Sequence, residues 1–229
     1  MKRLVLCTAL VLLVGQLALA TPELFLKSGT TTLTVVCIPG QVAVALTSIG
    51  PWSITTVGGN SSSPSTSPPL DIASLTATCI SSTACATNPL DVWLSDTGFT
   101  TVNGSFTNYY NVIASNGGTA AQTVWVGLGN VLFQSNGSDG GPTVTGGTLV
   151  GTVGPLTGNV NGSVTGGPHA GPSPYSMTIE DVFKGNGTAS VQFSTDGQVQ
   201  TVPEPASVVL LGGLILFCSS RLRRRSRSR

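Results

Sequence analysis

Five Asn-Gly pairs divide the middle of this chain, and they constrain its fold more than any other sequence feature. They begin at Asn103, Asn116, Asn136, Asn161 and Asn186. Asn-Gly tolerates positive φ at both positions, as the type I′ turn of a β-hairpin requires. Between the pairs Thr and Val are frequent and charged residues are scarce, which favours half-buried strands. No amphipathic helical period appears between residues 21 and 202. The sequence therefore predicts an all-β protein.

Alternation of apolar and polar residues predicts the strands themselves. They are expected at 32–37, 42–47, 52–57, 70–80, 90–95, 99–102, 105–112, 122–133, 143–150, 175–183 and 189–194. Pro39-Gly40 is expected to join the first two strands as a hairpin, and Asn186-Gly187 to join the last two. Many short strands with closely spaced turns are typical of an antiparallel β-sandwich.

Two stretches depart from this pattern. Residues 58–69 are rich in Ser and Pro, so we expect an exposed loop within a single domain that spans residues 21–202. The sequence Val-Thr-Gly-Gly occurs at 144–147 and again at 164–167. One echo is not a repeat array, so a solenoid remains the minority interpretation.

The N-terminus has the three parts of a secretory signal peptide, predicted at residues 1–20. Lys2 and Arg3 form a basic region, and residues 4–14 are apolar. Ala18 and Ala20 provide the small residues that signal peptidase requires before its cleavage point. We therefore expect the chain to be exported and to start at residue 21.

The C-terminus, residues 203–229, combines prolines, an apolar run and a basic tail. Pro203 and Pro205 hold the chain extended just before the apolar residues 206–218. Such a run makes a helix of about 20 Å, shorter than a hydrocarbon core of about 30 Å. The tail is rich in arginine, with Arg221, Arg223, Arg224 and Arg225 at its centre. The short apolar run predicts a weak single-helix anchor. The arginines predict that its tail lies in the cytoplasm.

Pro203-Glu204-Pro205, the apolar run and the arginine tail together resemble the PEP-CTERM sorting signal of Gram-negative bacteria. The resemblance implies recognition at Pro203, Glu204 and Pro205 by an exosortase, which removes the anchor. It covers about the last tenth of the chain. Anchors of this type also occur as the C-terminal domain of ice-binding proteins. An ordinary single-span anchor is the alternative interpretation.

Without its two ends the chain is acidic. Between residues 21 and 202 there are two lysines and eight acids, so the net charge is 2 − 8 = −6, whereas the full chain has +1. Nucleic acid requires basic patches against its phosphates, so we expect no nucleic-acid partner. The same argument disfavours binding to anionic lipid surfaces.

The cysteines of the chain are compatible with export to an oxidising compartment, where disulfides form. Cys37, Cys79 and Cys85 remain between the two sorting segments. In an oxidising compartment the close pair Cys79 and Cys85 is the expected disulfide, which leaves Cys37 as a buried strand residue. Pairing of Cys37 with either of the others stays open. No second ligand cluster accompanies the cysteines, so we expect no metal site.

Few residues suggest catalysis, and we expect neither enzymatic activity nor a cofactor. His169 is the only histidine, and it lies in a loop by composition. Glu180 and Asp181 are adjacent on a predicted strand, so their side chains should point to opposite faces. Because Asp181 stands between Ile179 and Phe183, we expect it at a strand end or bulge, with a role in a site as the minority alternative. The aromatic residues offer either core packing or a sugar-stacking platform: Trp52, Trp93, Trp125, Tyr109 and Tyr110.

Taken together, these features predict an exported, non-enzymatic protein of the cell surface or extracellular matrix. Exosortase and signal peptidase are the expected processing partners, and exopolysaccharide is a candidate partner outside the cell. A carbohydrate-binding module is the first alternative, and it requires exposed aromatic residues on one sheet face. A secreted hydrolase would require a pocket around His169. Ice binding would require a regular array of threonines, which the sequence lacks.

Overall fold

A computed structural model describes residues 21–38, 42–61, 70–100, 104–135, 141–142, 144–168 and 174–203. The predicted signal peptide, the centre of the Ser/Pro-rich loop, His169 and residues 204–229 lie outside the described residues. The elements are β1 (Glu23–Ser28), β2 (Thr31–Val36), β3 (Val42–Ile49), β4 (Trp52–Ser61), β5 (Leu70–Cys79), α1 (Ser82–Thr87), β6 (Leu90–Phe99), β7 (Gly104–Ala114), β8 (Thr119–Gly127), β9 (Gln134–Ser135), β10 (Val144–Thr145), β11 (Gly147–Leu156), β12 (Asn159–Pro168), β13 (Tyr175–Lys184) and β14 (Gln192–Pro203).

Twelve of these strands form two antiparallel six-stranded sheets. Sheet I has the order β11-β8-β13-β6-β1-β2, and sheet II has the order β12-β7-β14-β5-β4-β3. The short strands β9 and β10 pair in parallel beside sheet I. Phe183 of sheet I and Phe193 of sheet II meet with ring centroids 5.1 Å apart. The predicted all-β antiparallel sandwich is therefore confirmed.

The strands form because their sequences alternate between core and solvent. In β14, Phe193, Thr195, Gly197 and Val199 are buried, and the residues between them are exposed or half-buried. The inward side chains of both sheets make one large core that also includes Trp52, Tyr110 and Tyr175. This alternation follows from the two-residue period of side chains along a strand.

The predicted hairpins at Pro39-Gly40 and Asn186-Gly187 are wrong. Strand β2 pairs with β1 in sheet I, whereas β3 pairs with β4 in sheet II. Likewise β13 belongs to sheet I and β14 to sheet II. Both connections cross from one layer of the sandwich to the other, because a two-layer core is closed by connections between its sheets as well as by hairpins.

The Asn-Gly pairs make different structures at different sites. Asn116 and Gly117 have positive φ values of 51° and 73°, as predicted, but they join β7 of sheet II to β8 of sheet I. The Asn186 side chain donates a hydrogen bond to the Asn116 carbonyl, so the two turns brace each other. Asn161 and Gly162 lie within β12, where no turn occurs.

Other differences concern element bounds. Strands β1, β9 and β12 and helix α1 were not predicted, and residues 58–61 belong to β4 instead of the Ser/Pro-rich loop. The Gly-rich stretch between residues 147 and 168 forms β11 and β12, which are edge strands of opposite sheets. A Cβ at Gly151 would lie 2.5 Å from Val164, and one at Gly166 would lie 2.6 Å from the Val150 carbonyl. Glycine therefore lets the two edges approach closely.

The predicted disulfide between Cys79 and Cys85 is present, with a Cα–Cα distance of 6.1 Å. It ties the end of β5 to α1, and Cys37 is a buried thiol that does not take part in this disulfide. The helix is further held by the Gly185 amide, which donates a hydrogen bond to the Cys85 carbonyl. Within the described ranges no helix is long and apolar enough to cross a membrane.

Candidate functional site

The outer faces of the two sheets differ. On sheet I the centre of the outer face is covered by a segment that we call the strap, residues 128–135 together with Gly141 and Pro142. Trp93 and Trp125 stack beneath it, with ring centroids 5.5 Å apart and an interplanar angle of 11°. Both rings are at most 2% exposed, and Phe133 packs beside them. The part of this face around the two indoles is therefore closed by the protein itself, whereas Leu149 on the edge strand β11 is 55% exposed.

The outer face of sheet II instead carries an open groove of about 410 Å³ over β12, β7 and β14. It is lined by Tyr109, Tyr110, Asn111, Asn161, Gly162, Ser163, Asp196 and Gln198. The outward side chains among them are amides, one hydroxyl, one carboxylate and one phenol. These groups can donate or accept directed hydrogen bonds to a ligand.

Strand register brings these side chains into two rows, because paired residues of antiparallel strands share a face. One row joins Asn161, Asn111 and Asp196, and the next joins Ser163, Tyr109 and Gln198. Along a strand the two rows are separated by about 7 Å, since each residue rises about 3.4 Å. Each row joins residues of β12, β7 and β14, and its members on β7 and β14 are more than 80 residues apart in sequence.

Tyr109 is the only aromatic side chain that faces the groove among the described residues of these strands. Its ring is 41% exposed, whereas the neighbouring Tyr110 points into the core and is 1% exposed. Amides flank the Tyr109 ring on β7 and β14. A half-exposed tyrosine offers an apolar ring face for stacking and a hydroxyl for hydrogen bonding.

The groove has an acidic border. Asp71 of β5 pairs in register with Gln198, and Asn60 of β4 lies on its other side. Partial burial, then the nearby charge of Asp196, raise the pKa of Asp71 from its ordinary value of 3.8 to about 6, although a hydrogen bond with Asn60 opposes the shift. The six strands of sheet II contain no Lys, Arg or His.

A polar cluster lies beneath the groove, between the sheets. The Gln122 amide donates a 2.8 Å hydrogen bond to Asp181 Oδ1, and the Asn108 amide donates a 3.4 Å bond to the Gln122 carbonyl. Burial raises the pKa of Asp181 to about 7. A Cβ at Gly197 would overlap the Gln122 side chain, so glycine makes room for the cluster. Asp181 has no path to the groove surface, because it is fully buried.

The structure separates the residues that the sequence singled out. Glu180 and Asp181 do point to opposite faces of sheet I, but Asp181 lies in the middle of β13 instead of at an end or bulge. Of the five candidate aromatic residues, four are buried and only Tyr109 is exposed. Pro203 is the last residue of β14. His169, Glu204, Pro205 and the arginine tail lie outside the described residues.

Sequence reasoning missed most of the groove. Asn111 and Gln198 were not singled out, Asp196 only entered the charge count, and Asn161 was assigned to a turn. Alternation gives one usable signal, since adjacent tyrosines on a strand must point to opposite faces. In the described part of the chain, no three His, Cys, Asp or Glu side chains come together as a metal cluster.

No protein-family model matches this sequence, and no curated protein matches it. Among solved structures, the chain is similar to TmCBM61 in complex with beta-1,4-galactotriose, at 11% identity and a TM-score of 0.30, with 66% of this chain and 89% of that chain covered. It is also similar to the N-terminal cellulose-binding domain of Cellulomonas fimi beta-1,4-glucanase C (13% identity, TM-score 0.30, 72% and 91% covered). A third similar structure is the adhesin domain of Epf from Streptococcus pyogenes, at 12% identity and a TM-score of 0.31, with 80% of this chain and 60% of that chain covered.

Proposed function

We propose that this protein is a non-enzymatic glycan-binding protein of the cell surface or extracellular matrix. The observation that carries the proposal is the groove on sheet II, where the exposed ring of Tyr109 is flanked by amide side chains. A pyranose ring presents apolar C–H groups on its faces and hydroxyls around its edge. An aromatic ring bordered by amides is complementary to both.

The shape of the groove favours a chain ligand over a small metabolite. The groove is open to solvent and lies on the outer face of a sheet, so a segment of a polysaccharide can lie in it without a free end entering a closed cavity. Asn111, Asn161 and Gln198 each supply an amide donor and a carbonyl acceptor, which suits sugar hydroxyls that both donate and accept. This arrangement orients a glycan without requiring a catalytic group.

Export and sorting complete the proposal. The signal-like N-terminus and the Pro203-Glu204-Pro205 motif support an exported protein that an exosortase processes through a PEP-CTERM segment, after an inner-membrane intermediate. In this view the β-sandwich acts beside exopolysaccharide. We expect intact-mass analysis of the protein from its host to find a chain that starts at Thr21 and ends near Pro205. A chain in the inner membrane that still carries Arg221 to Arg229 would contradict the sorting proposal.

Substitution of Tyr109 by alanine is expected to weaken glycan binding at least tenfold with little loss of stability. The side chain is 41% exposed, so its removal leaves no buried cavity, but it deletes the stacking surface of the groove. The measurement is affinity electrophoresis and calorimetry with the host's polysaccharide and with neutral β-linked oligosaccharides.

Two controls make this test specific. Ile113→Ala removes another exposed residue of β7, two rows away from Tyr109, and should leave affinity unchanged. Tyr109→Phe should retain most of the affinity, because it keeps the ring. If wild-type protein binds none of these glycans, or if Tyr109→Ala binds as tightly as wild type, the proposed function is wrong.

A further inference from the structure

The charged side chains that line or border the groove are acidic, and this affects which glycans the groove can bind. Asp196 lines the groove and Asp71 borders it, whereas no Lys, Arg or His lies on any of the six strands of sheet II. A uronate, sulfate or phosphate group in the groove would therefore meet two acids and no cationic side chain from these six strands. Repulsion between the negative ligand group and the aspartates disfavours binding.

We propose that the groove is selective for amino-sugar glycans, with Asp196 as the residue that determines this selectivity. The inference rests on the proposed function and refines it. Asp196 pairs in register with Asn111. Its row is next to the row of Tyr109, and the two rows are about 7 Å apart along the strands. A sugar ring stacked on Tyr109 thus places a substituent, or the next sugar, within reach of the carboxylate.

The two acids strengthen this assignment because they are already close to each other. The charge of Asp196 contributes to the raised pKa of Asp71, so a second negative charge at this border is unfavourable. A protonated sugar amine relieves that repulsion and donates charge-assisted hydrogen bonds to Asp196. An acetylated amine or a hydroxyl in the same place gains only a neutral hydrogen bond.

The test compares four sets of short oligomers, three β-linked and the galacturonate set α-linked, by calorimetry at mildly acidic pH, where the sugar amine is protonated. They are oligomers of glucosamine, N-acetylglucosamine, glucose and galacturonate. We expect the glucosamine oligomer to bind about fivefold more tightly than the glucose oligomer, as a partly exposed ion pair allows. The advantage should shrink at high salt, where charges are screened.

Variants assign the effect to residues. Asp196→Asn should abolish the glucosamine advantage and leave affinity for the glucose oligomer unchanged, because it removes the charge and keeps the shape. Tyr109→Ala should weaken every oligomer alike. Asp91→Asn, an acid on β6 of sheet I, is the matched control and should leave the selectivity as in wild type.

The outcomes separate this inference from the proposed function. Equal affinity for glucosamine and glucose oligomers would overturn the selectivity while glycan binding stands. Binding of the galacturonate oligomer that requires Ca²⁺ and is lost on chelation would also overturn it, because the acids would then hold a bridging cation. If no glycan binds under any condition, the proposed function fails and the inference fails with it.

Discussion

Replacing Asp181 with asparagine is expected to remove a pH-dependent loss of stability of about 4 kcal/mol. Burial raises the pKa of this carboxyl from 3.8 to about 7, a difference of about three units, and each unit corresponds to about 1.4 kcal/mol. The neutral amide of asparagine has nearly the same shape. It keeps an acceptor for Gln122 and places an N–H group at the position of Oδ2, a carboxyl oxygen with no hydrogen-bond partner among the described residues.

The direction follows from proton binding. In the folded protein Asp181 holds its proton up to about pH 7, whereas in the unfolded chain it releases the proton near its ordinary pKa of 3.8. Between these values the folded state binds more protons, so this group makes stability fall as pH rises, and the fall ends above pH 7. The Asp181→Asn variant should therefore gain stability over wild type as pH increases through that window.

Urea unfolding of both proteins between about pH 3 and pH 9 measures this difference. Groups common to both proteins, such as Asp96, cancel in the comparison. Asp71→Asn is the matched control: its carboxyl is only partly buried and has a pKa of about 6, so a smaller difference should end near pH 6. Parallel stability curves for wild type and Asp181→Asn would show that the buried carboxyl carries no such cost.

Periodicity alone locates most strands of this protein. Strand β5 matches its prediction to within one residue, because its alternating aliphatic and polar residues reflect one buried and one more exposed face. Strand β13 also matches to within one residue, although it is buried on both faces. Strand β12 was missed because its glycines and asparagines resemble turn residues. Those glycines serve close packing of two sheet edges, which local sequence does not reveal.

Turn chemistry predicts backbone conformation but not topology. The positive φ values of Asn116 and Gly117 follow from their side chains. Whether the next strand continues the same sheet or crosses to the other depends on which apolar face must be buried, and that is a property of the whole sandwich. The expected hairpins therefore became connections between layers.

The groove is even less accessible to sequence reasoning, because its rows join residues of β7, β12 and β14. Polar residues on an outward face look like ordinary solvated positions, and only the register of three strands shows that they surround Tyr109. The buried Asp181 was visible as an acid between Ile179 and Phe183. Its partner Gln122 was not, since that contact joins strands 59 residues apart in sequence.

Replacing Trp93 with alanine is expected to destabilise the fold by about 3 to 5 kcal/mol without weakening glycan binding. The ring is fully buried, stacks on Trp125 and lies against Gly141 of the strap, where a Cβ would approach it to 2.5 Å. Its loss leaves a large cavity between sheet I and the strap. A domain with an ordinary stability of about 5 to 15 kcal/mol remains folded in most of that range.

Urea unfolding, amide hydrogen exchange of the strap and glycan calorimetry together test this prediction. Exchange should accelerate at Leu132 and Phe133, whose contacts hold the strap on sheet I. Trp93→Phe should cost less, because it retains part of the ring and removes an indole N–H that has no described partner. Unchanged affinity in both variants would place binding on sheet II, opposite the strap. A parallel loss of stability and affinity would instead mean that the tryptophan face takes part in binding, because the groove around Tyr109 lies on the other sheet.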